Sequence, residues 1–350
     1  LAENQALFSE GLAGLARVSK TLLRVSAILS VALLAANTLL ESYWPEALCA
    51  LGRASLCAES ALRAYRKSDF SRYYRYSEKS CRGGSATGCS NVGVAYEQGL
   101  GVQKDYARAR GYYETACSKQ SAIACRNLGN LHLWGFGVPR DRTLALRYLK
   151  QACDANLGEG CNDQARALPH AADGDSEPAH AERRALYARA CDAGNQFGCA
   201  NLASTLAHLQ SPTSAEAARA AELASKGCLL EHPYSCSVFG HLLENGIGTG
   251  RNLPAARERY QFACDHEEAT GCLALGRILA LGVGGVAVDL AGAQHAFERA
   301  CQLDEARACD LLATTTKSDP SLSESEREKK SAAYTVRAEA LRRASPYTDD

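Results

Sequence analysis

The sequence predicts an all-α protein: an α/α solenoid of about seven disulfide-stapled helix-hairpin repeats, preceded by a single transmembrane helix. Three observations carry this expectation. Sixteen cysteines share one spacing, C-x7-C, and successive pairs begin 32 to 38 residues apart. Apolar residues three and four positions apart recur twice between one pair and the next, the mark of two helices per unit. One stretch near the amino end, residues 25–40, is apolar and carries no charge.

The cysteines organise the chain. They stand at Cys49 and Cys57, Cys81 and Cys89, Cys117 and Cys125, Cys153 and Cys161, Cys191 and Cys199, Cys228 and Cys236, Cys264 and Cys272, Cys301 and Cys309. A period near 36 residues marks a repeat array. The number is even and nothing is left over, which favours a disulfide framework. Metal binding is the weaker alternative, since structural zinc sites want ligand pairs two to four residues apart and no C-x-x-C occurs. The same absence argues against a thioredoxin-like redox motif.

The repeat unit is read from its clearest copies. One runs Cys89, Val92, Gly93, Tyr96, Gly99, Gly101, Val102, Asp105, Ala109, Tyr112, Tyr113, Ala116, Cys117, and the next repeats it from Cys125 to Cys153. The G-x-G-V stretch breaks the chain between two helices. Asp105 and Asp141 stand where the second helix needs an N-cap. Gly93 and Gly129 fall inside the first helix, where glycine costs about 1 kcal/mol against alanine. Their recurrence predicts a close approach of two helix axes.

These residues carry a family resemblance. The pattern L-G-x(5)-G-x-G-V-x-x-D-x-x-x-A-x-x-x-Y-x-x-A-C resembles the Sel-one-like repeat, an α/α relative of the tetratricopeptide repeat, and the C-x7-C linkage is similar to the cysteine-rich secreted branch of that family. It covers about residues 46–312, with good units at 89–117, 125–153, 236–264 and 272–301. Unit 57–81 lacks the G-x-G-V turn. Units 161–191 and 199–228 replace it with polar segments, Pro169 to Pro178 and Ser211 to Ser214. Each first cysteine then ends one unit and each second cysteine opens the next, so that eight sequential local bridges are expected, Cys49–Cys57 through Cys301–Cys309. Closing so short a loop contributes about 2.5 kcal/mol in the chain-entropy account.

The ends differ from the array. Residues 1–20 form a short cytoplasmic or matrix-side segment and 21–44 a transmembrane anchor. Residues 45–312 are the solenoid, and 313–350 a polar linker with a C-terminal capping or docking helix, read as amphipathic over 324–344. With Leu22, Leu23 and a snorkelling Arg24, the apolar run is long enough to span about 30 Å of hydrocarbon. Arg17, Lys20 and Arg24 precede it and Glu41 and Glu46 follow, which places residues 1–20 inside. A cleavable signal peptide with an Ala35-Ala36 region is the rival reading, and a buried core helix the third. The chain has no methionine, so Leu1 is not a translation start; either an earlier start or a removed targeting piece is expected. The anchor puts the repeats in an oxidising exoplasmic space, the bacterial periplasm or the mitochondrial intermembrane space, of which this is a single-pass inner-membrane protein. Disulfides persist there.

Chemistry is sparse. The 39 basic and 39 acidic side chains cancel, so nothing global draws the chain to nucleic acid or an anionic bilayer. The eight histidines form no H-x-x-x-H pair, and neither a nucleophile-elbow motif nor a P-loop occurs. Asp265-His266-Glu267-Glu268 reads as a solvated acidic turn rather than a metal site. Tyr73, Tyr74 and Tyr76 form an aromatic cluster suited to a protein or lipid-headgroup contact. The segment holding Pro169, Asp173, Asp175 and Pro178 is a candidate partner-contact loop. No catalytic, metal-ligating or cofactor-binding residue is assigned, no small-molecule substrate is identified and no cofactor is expected. The expected role is a non-enzymatic membrane-anchored scaffold or adaptor, an accessory subunit or assembly factor whose partners are protein subunits of a membrane complex and, through one helix, the lipid bilayer. The family resemblance raises one alternative, a beta-lactam or peptidoglycan hydrolase; the other is a thiol-redox or metal-delivery assembly factor. No S-x-x-K occurs to support the hydrolase.

Overall fold

The structure, a computed structural model, describes residues 49, 53–169, 177–209, 212–282, 284–319 and 321–344. Among the described residues there are sixteen α-helices and no strand. They fall into two units, each described by itself. The first, ending at Lys119, holds α1 (Ala54–Arg66), α2 (Phe70–Arg82), α3 (Ala86–Gln98) and α4 (Tyr106–Ser118). The second, from Gln120, holds α5 (Ala122–Trp134), α6 (Arg142–Asp154), α7 (Gly158–Ala167), α8 (Glu177–Asp192), α9 (Gln196–Ala207) and α10 (Ser214–Leu229). It continues with α11 (Pro233–Asn245), α12 (Leu253–Asp265), α13 (Ala269–Leu281), α14 (Leu290–Gln302), α15 (Ala306–Lys317) and α16 (Glu324–Ala344). Within each unit every helix packs on its chain neighbour, and the first helices of successive hairpins also touch, α5 to α7 to α9 to α11 to α13. This is solenoid packing, in which each hairpin buries its apolar faces against the next.

The junctions between hairpins are built alike. Bridges join Cys49–Cys57, Cys81–Cys89, Cys153–Cys161, Cys191–Cys199, Cys228–Cys236, Cys264–Cys272 and Cys301–Cys309, with Cα atoms 4.4 to 4.9 Å apart. Cys117 and Cys125 each take part in a disulfide, and no cysteine among the described residues is free. Three residues past the first cysteine the chain turns left-handed, at Gly84, Asn156, Gly194, Glu231, Glu267 and Asp304. The N–H of that residue reaches back to the cysteine carbonyl and the next N–H to the carbonyl before it, as in Glu267 to Cys264 at 3.1 Å and Glu268 to Ala263 at 3.0 Å. That pair of bonds is the Schellman stop of a helix.

The two helices cross so closely that small residues are required. A Cβ on Gly198 would lie 2.5 Å from the Ala190 methyl, and one on Gly271 2.6 Å from that of Ala263. At the α10–α11 junction the roles are exchanged: Ser235 occupies the upper position, and a Cβ on Gly227 would lie 2.3 Å from its hydroxyl.

In four hairpins the mid-helix glycine has the packing role its recurrence predicts. The Tyr113 ring lies against Gly93, Leu149 against Gly129, Tyr260 against Gly240 and Phe297 against Gly276, at distances of 2.4 to 2.8 Å from an added Cβ. At the equivalent place α9 carries Ala203 and α10 the small Ala224. The hydroxyls then find acceptors: Tyr113 donates to Glu97, and Tyr260 to Glu244 at 2.8 Å.

The G-x-G turn also has two parts. Gly99, Gly135, Gly246 and Gly282 are left-handed C-caps of the first helices. The second glycine presses on the preceding hairpin, so that a Cβ on Gly248 would lie 2.0 Å from the Ala217 carbonyl oxygen. The second helices open as expected, with Asp105 accepting from Arg108 N and Asp141 from Leu144 N. Where the turn motif is missing, α10 opens on a capping box of Thr213 and Glu216.

The last helix, α16, lies on α15. Ala338 is fully buried, Tyr334 and Leu341 pack beside it, and the Ser331 hydroxyl donates to the Ala313 carbonyl at 2.8 Å. Arg342 grips Asp310 through both carboxylate oxygens.

Among the described residues no helix is long and apolar enough to cross a membrane. The anchor expected over 21–44 lies outside the described residues, as do residues 1–20.

Two stability predictions follow from this packing. Gly276→Ala forces its methyl into the Phe297 ring and should cost about 1–3 kcal/mol, read as a lower urea midpoint at unchanged slope. Glu267→Gly relieves a left-handed residue without touching the core and should stabilise by about 1 kcal/mol; an unchanged midpoint would count against strain at that position.

Candidate functional site

The expected contact residues are dispersed. Tyr73 is a correction: it is buried, with its hydroxyl donating to the Asn91 carbonyl at 3.1 Å and its ring against Tyr65. Period-four spacing on α2 turns it into the core, so its ring is no surface contact. Tyr74 is half-buried and shares a hydrogen bond of 3.2 Å with Tyr96, which stacks on Tyr112 and lies under Arg108. Tyr76 is half-buried. Pro169 is exposed just past α7, and its carbonyl accepts from the buried Arg183 at 3.1 Å. Pro178 lies in the first turn of α8. Asp173 and Asp175 lie outside the described residues.

The acidic turn is consumed by helix ends. Glu268 caps α13 through Gly271 N, Asp265 pairs with Arg299, and His266 Nδ1 lies 2.8 Å from the Phe262 carbonyl. Among the described residues no three His, Cys, Asp or Glu side chains are grouped to hold a metal ion.

The structure instead assembles a polar strip that sequence reasoning did not single out. Residues one and five positions past each second cysteine lie on one face of the first helix. Five positions on, these are Asn130, Arg166, Ser204, His241 and Arg277. Side chains on this face link neighbouring hairpins. Arg126 Nε donates to Asp163 at 2.6 Å, Asn130 to the same carboxylate at 3.2 Å, and Asn201 to Asn162 at 2.8 Å. Tyr234 shares a hydrogen bond with Ser204, and the Ser237 and Thr270 hydroxyls meet at 3.1 Å. The signal was available as polar residues at a fixed offset from cysteine, but one sequence offers no way to separate them from ordinary solvated positions.

Toward the carboxyl end this face opens into a groove of about 360 Å³. Its walls are Ser204 and His208 from the end of α9, Tyr234, Ser237, Val238 and His241 from α11, Tyr260 from α12, Thr270, Leu273, Ala274 and Arg277 from α13, and Glu305 and Arg307 at the start of α15. The His208 and His241 rings stack with centroids 4.9 Å apart and planes 4° off parallel. His208 Nδ1 faces the Ser204 carbonyl at 2.7 Å and His241 Nδ1 the Asn245 amide at 3.2 Å. Neither contact engages the Ser204 hydroxyl, so they do not form the nucleophile–base pair of acyl transfer.

Burial lowers the His241 pKa below the usual imidazole range, and His208 and Arg277 push the same way. Burial likewise lowers His232, the N-cap of α11. Burial raises the hydroxyls of Tyr234 and Tyr260, and the Glu244 carboxylate raises Tyr260 further. Both tyrosines therefore stay neutral and act as hydrogen-bonding walls. What the groove offers is apolar floor at Val238, Leu273 and Ala274, rimmed by hydroxyl, imidazole and guanidinium groups. A mostly apolar lining with a few placed polar groups is the make-up of a ligand-binding groove.

Comparison with known proteins agrees with the fold. The family profile of the Sel1 repeat matches residues 86–121, 122–157 and 235–267. A Sel1 repeat protein from Oxalobacter formigenes is 18% identical, with a TM-score of 0.61 over 70% of this chain and 96% of that one. A protective antigen of uropathogenic Escherichia coli with an SLR fold is 20% identical, with a TM-score of 0.55 over 85% of this chain and 63% of that one. No curated protein matches the chain.

The histidines give a pH prediction. A folded-state pKa below the unfolded value near 6.5 means the unfolded chain binds protons first. Stability is then full above 6.5 and falls as pH drops through the lowered folded values of His241 and His232. The exposed carboxylates with lowered pKa, such as Glu216 and Asp319, act only at more acid pH. Melting temperature should therefore fall between pH 7 and 5, and His241→Asn should flatten that slope.

Proposed function

We propose that this chain, which carries Sel1 repeats, is a non-catalytic scaffold that holds a segment of a partner protein in the groove lined by α9, α11, α13 and α15. Sel1 repeats generally mediate protein–protein interaction, and the continuous face made by successive first helices supports that role here. The observation that carries the reading is the groove itself: apolar floor, hydrogen-bonding rim, and walls from four consecutive hairpins fixed by disulfides at Cys228–Cys236, Cys264–Cys272 and Cys301–Cys309. A rigid wall spends little conformational entropy on binding.

Disulfides at the junctions are compatible with an oxidising extracytoplasmic space. We place the repeats there, tethered by residues 21–44 to an inner membrane, as adaptor or assembly factor of a membrane complex. Cys49 and Cys57 bridge just beyond that run. The segment holding Asp173 and Asp175, together with Tyr74 and Tyr76, is proposed as a secondary partner contact.

A photo-crosslinking residue placed at Ala274 in the groove should capture a partner in cells, whereas the same residue at the exposed Arg257 of α12 should not. Capture from position 257 alone would move the binding face off the groove. Protease added on the cytoplasmic or matrix side should leave the repeats intact; their digestion would overturn the topology.

A further inference from the structure

We infer that the groove selects an acidic segment, seating its side-chain carboxylates on Arg277 and Arg307. The inference rests on the groove reading above and adds the chemistry of the partner.

The argument is the accounting of charge around one cavity. Its lining holds one carboxylate, Glu305, and two guanidiniums, Arg277 and Arg307, with Glu244 and Glu268 beside it. Each carboxylate is already engaged. Glu268 accepts from the backbone of Thr270 and Gly271 and from the Thr270 hydroxyl, at 2.6 to 3.2 Å. Glu305 accepts from Arg307 N at 3.3 Å, and Glu244 accepts from Tyr260 at 2.8 Å. Two of the three thus face helix amides, where negative charge is already compensated by the helix N-terminus.

The guanidiniums are not engaged in the same way. Arg277 and Arg307 both line the groove and are exposed, and neither side chain has a carboxylate within ion-pair distance among the described residues. Elsewhere in the same unit arginines are paired across hairpins: Arg126 with Asp163, Arg189 with Asp154, Arg299 with Asp265, Arg337 with Asp304. Arg277 is near enough to His241 and Tyr260 to shift both of their titrations. Its charge therefore falls on the groove, not on a partner of its own.

A guanidinium presents a planar fork of donors that fits a carboxylate through two parallel hydrogen bonds. Arg277 and Arg307 stand on adjacent first helices, α13 and α15, so they offer two such forks at successive hairpins. A peptide laid across the groove would meet both. His208 and His241 face the same space, and the titrating or charged groups around them are Glu244, Arg277, Tyr234 and Tyr260. The apolar floor adds a preference for aliphatic residues between the acids.

The test uses the full chain with native disulfides and a displayed library of random heptapeptides. Selected sequences should be enriched in aspartate and glutamate. A fluorescein-labelled heptapeptide with three glutamates should bind roughly tenfold or more tightly than its glutamine counterpart, by the worth of one charge-assisted hydrogen bond pair. Arg277→Gln with Arg307→Gln should abolish that difference, and both sites are exposed, so circular dichroism should show an unchanged fold. Arg257→Gln, outside the groove, should leave the difference intact. Peptides that bind, are blocked by Ala274→Trp and show no acidic preference would overturn the carboxylate inference while the groove reading stands. Acid-rich peptides unaffected both by Ala274→Trp and by the arginine pair would place their site elsewhere and overturn both readings; blocked by Ala274→Trp alone, they would overturn only the arginine inference.

Discussion

Everything in this molecule depends on the helix crossing at the C-x7-C junction. A hairpin of about three turns per helix cannot bury enough apolar surface alone, and its stability comes from the neighbour it stacks on. The chain meets this constraint by bringing the end of one helix so close to the start of the next that bridged Cα atoms lie 4.4 to 4.9 Å apart. Three features act together there: small residues such as Ala190 under Gly198, a left-handed turn three residues past the first cysteine, and the disulfide. The bridge removes loop freedom from the unfolded chain. It does so at the joint where a core rich in alanine has least apolar area to offer.

The second constraint lies inside the hairpin, and it explains the repeat signature. Tyr113, Tyr260 and Phe297 are large buried side chains, and each lies against a glycine. Removing a Cβ from the first helix costs about 1 kcal/mol of helix propensity, and burying an aromatic ring offsets it. The hairpin with Ala203 opposite Ala224 resolves the same contact with two small residues.

The first helices of successive hairpins also touch one another. Their shared face bears hydrogen bonds from hairpin to hairpin, and near the carboxyl end it opens into the groove. The carboxylates there serve helix ends and Tyr260, which leaves the guanidiniums of Arg277 and Arg307 to define its electrostatics. A groove assembled from four hairpins is held at its junctions by the disulfides.

Much of the fold was legible in the sequence because repetition makes packing visible. The cysteine period marked the repeated hairpin, about seven expected against eight among the described residues, the recurrence of Gly93 and Gly129 marked a close approach, and Asp105 and Asp141 stood at the cap positions. Repeated positions are constrained by the same contacts, so they recur in register. The site was not legible for the complementary reason. Tyr73 looked like part of a surface cluster, yet its place on α2 turns it inward. Arg277 and Arg307 are separated by 30 positions in sequence and occupy different places in the repeat, so no period pairs them. Only tertiary packing sets them on adjacent helices, engages Glu244, Glu268 and Glu305 elsewhere, and stacks His208 on His241. Local sequence determined which segments are helices and where they stop; the juxtaposition of unlike residues from different repeats was decided by the stacking alone.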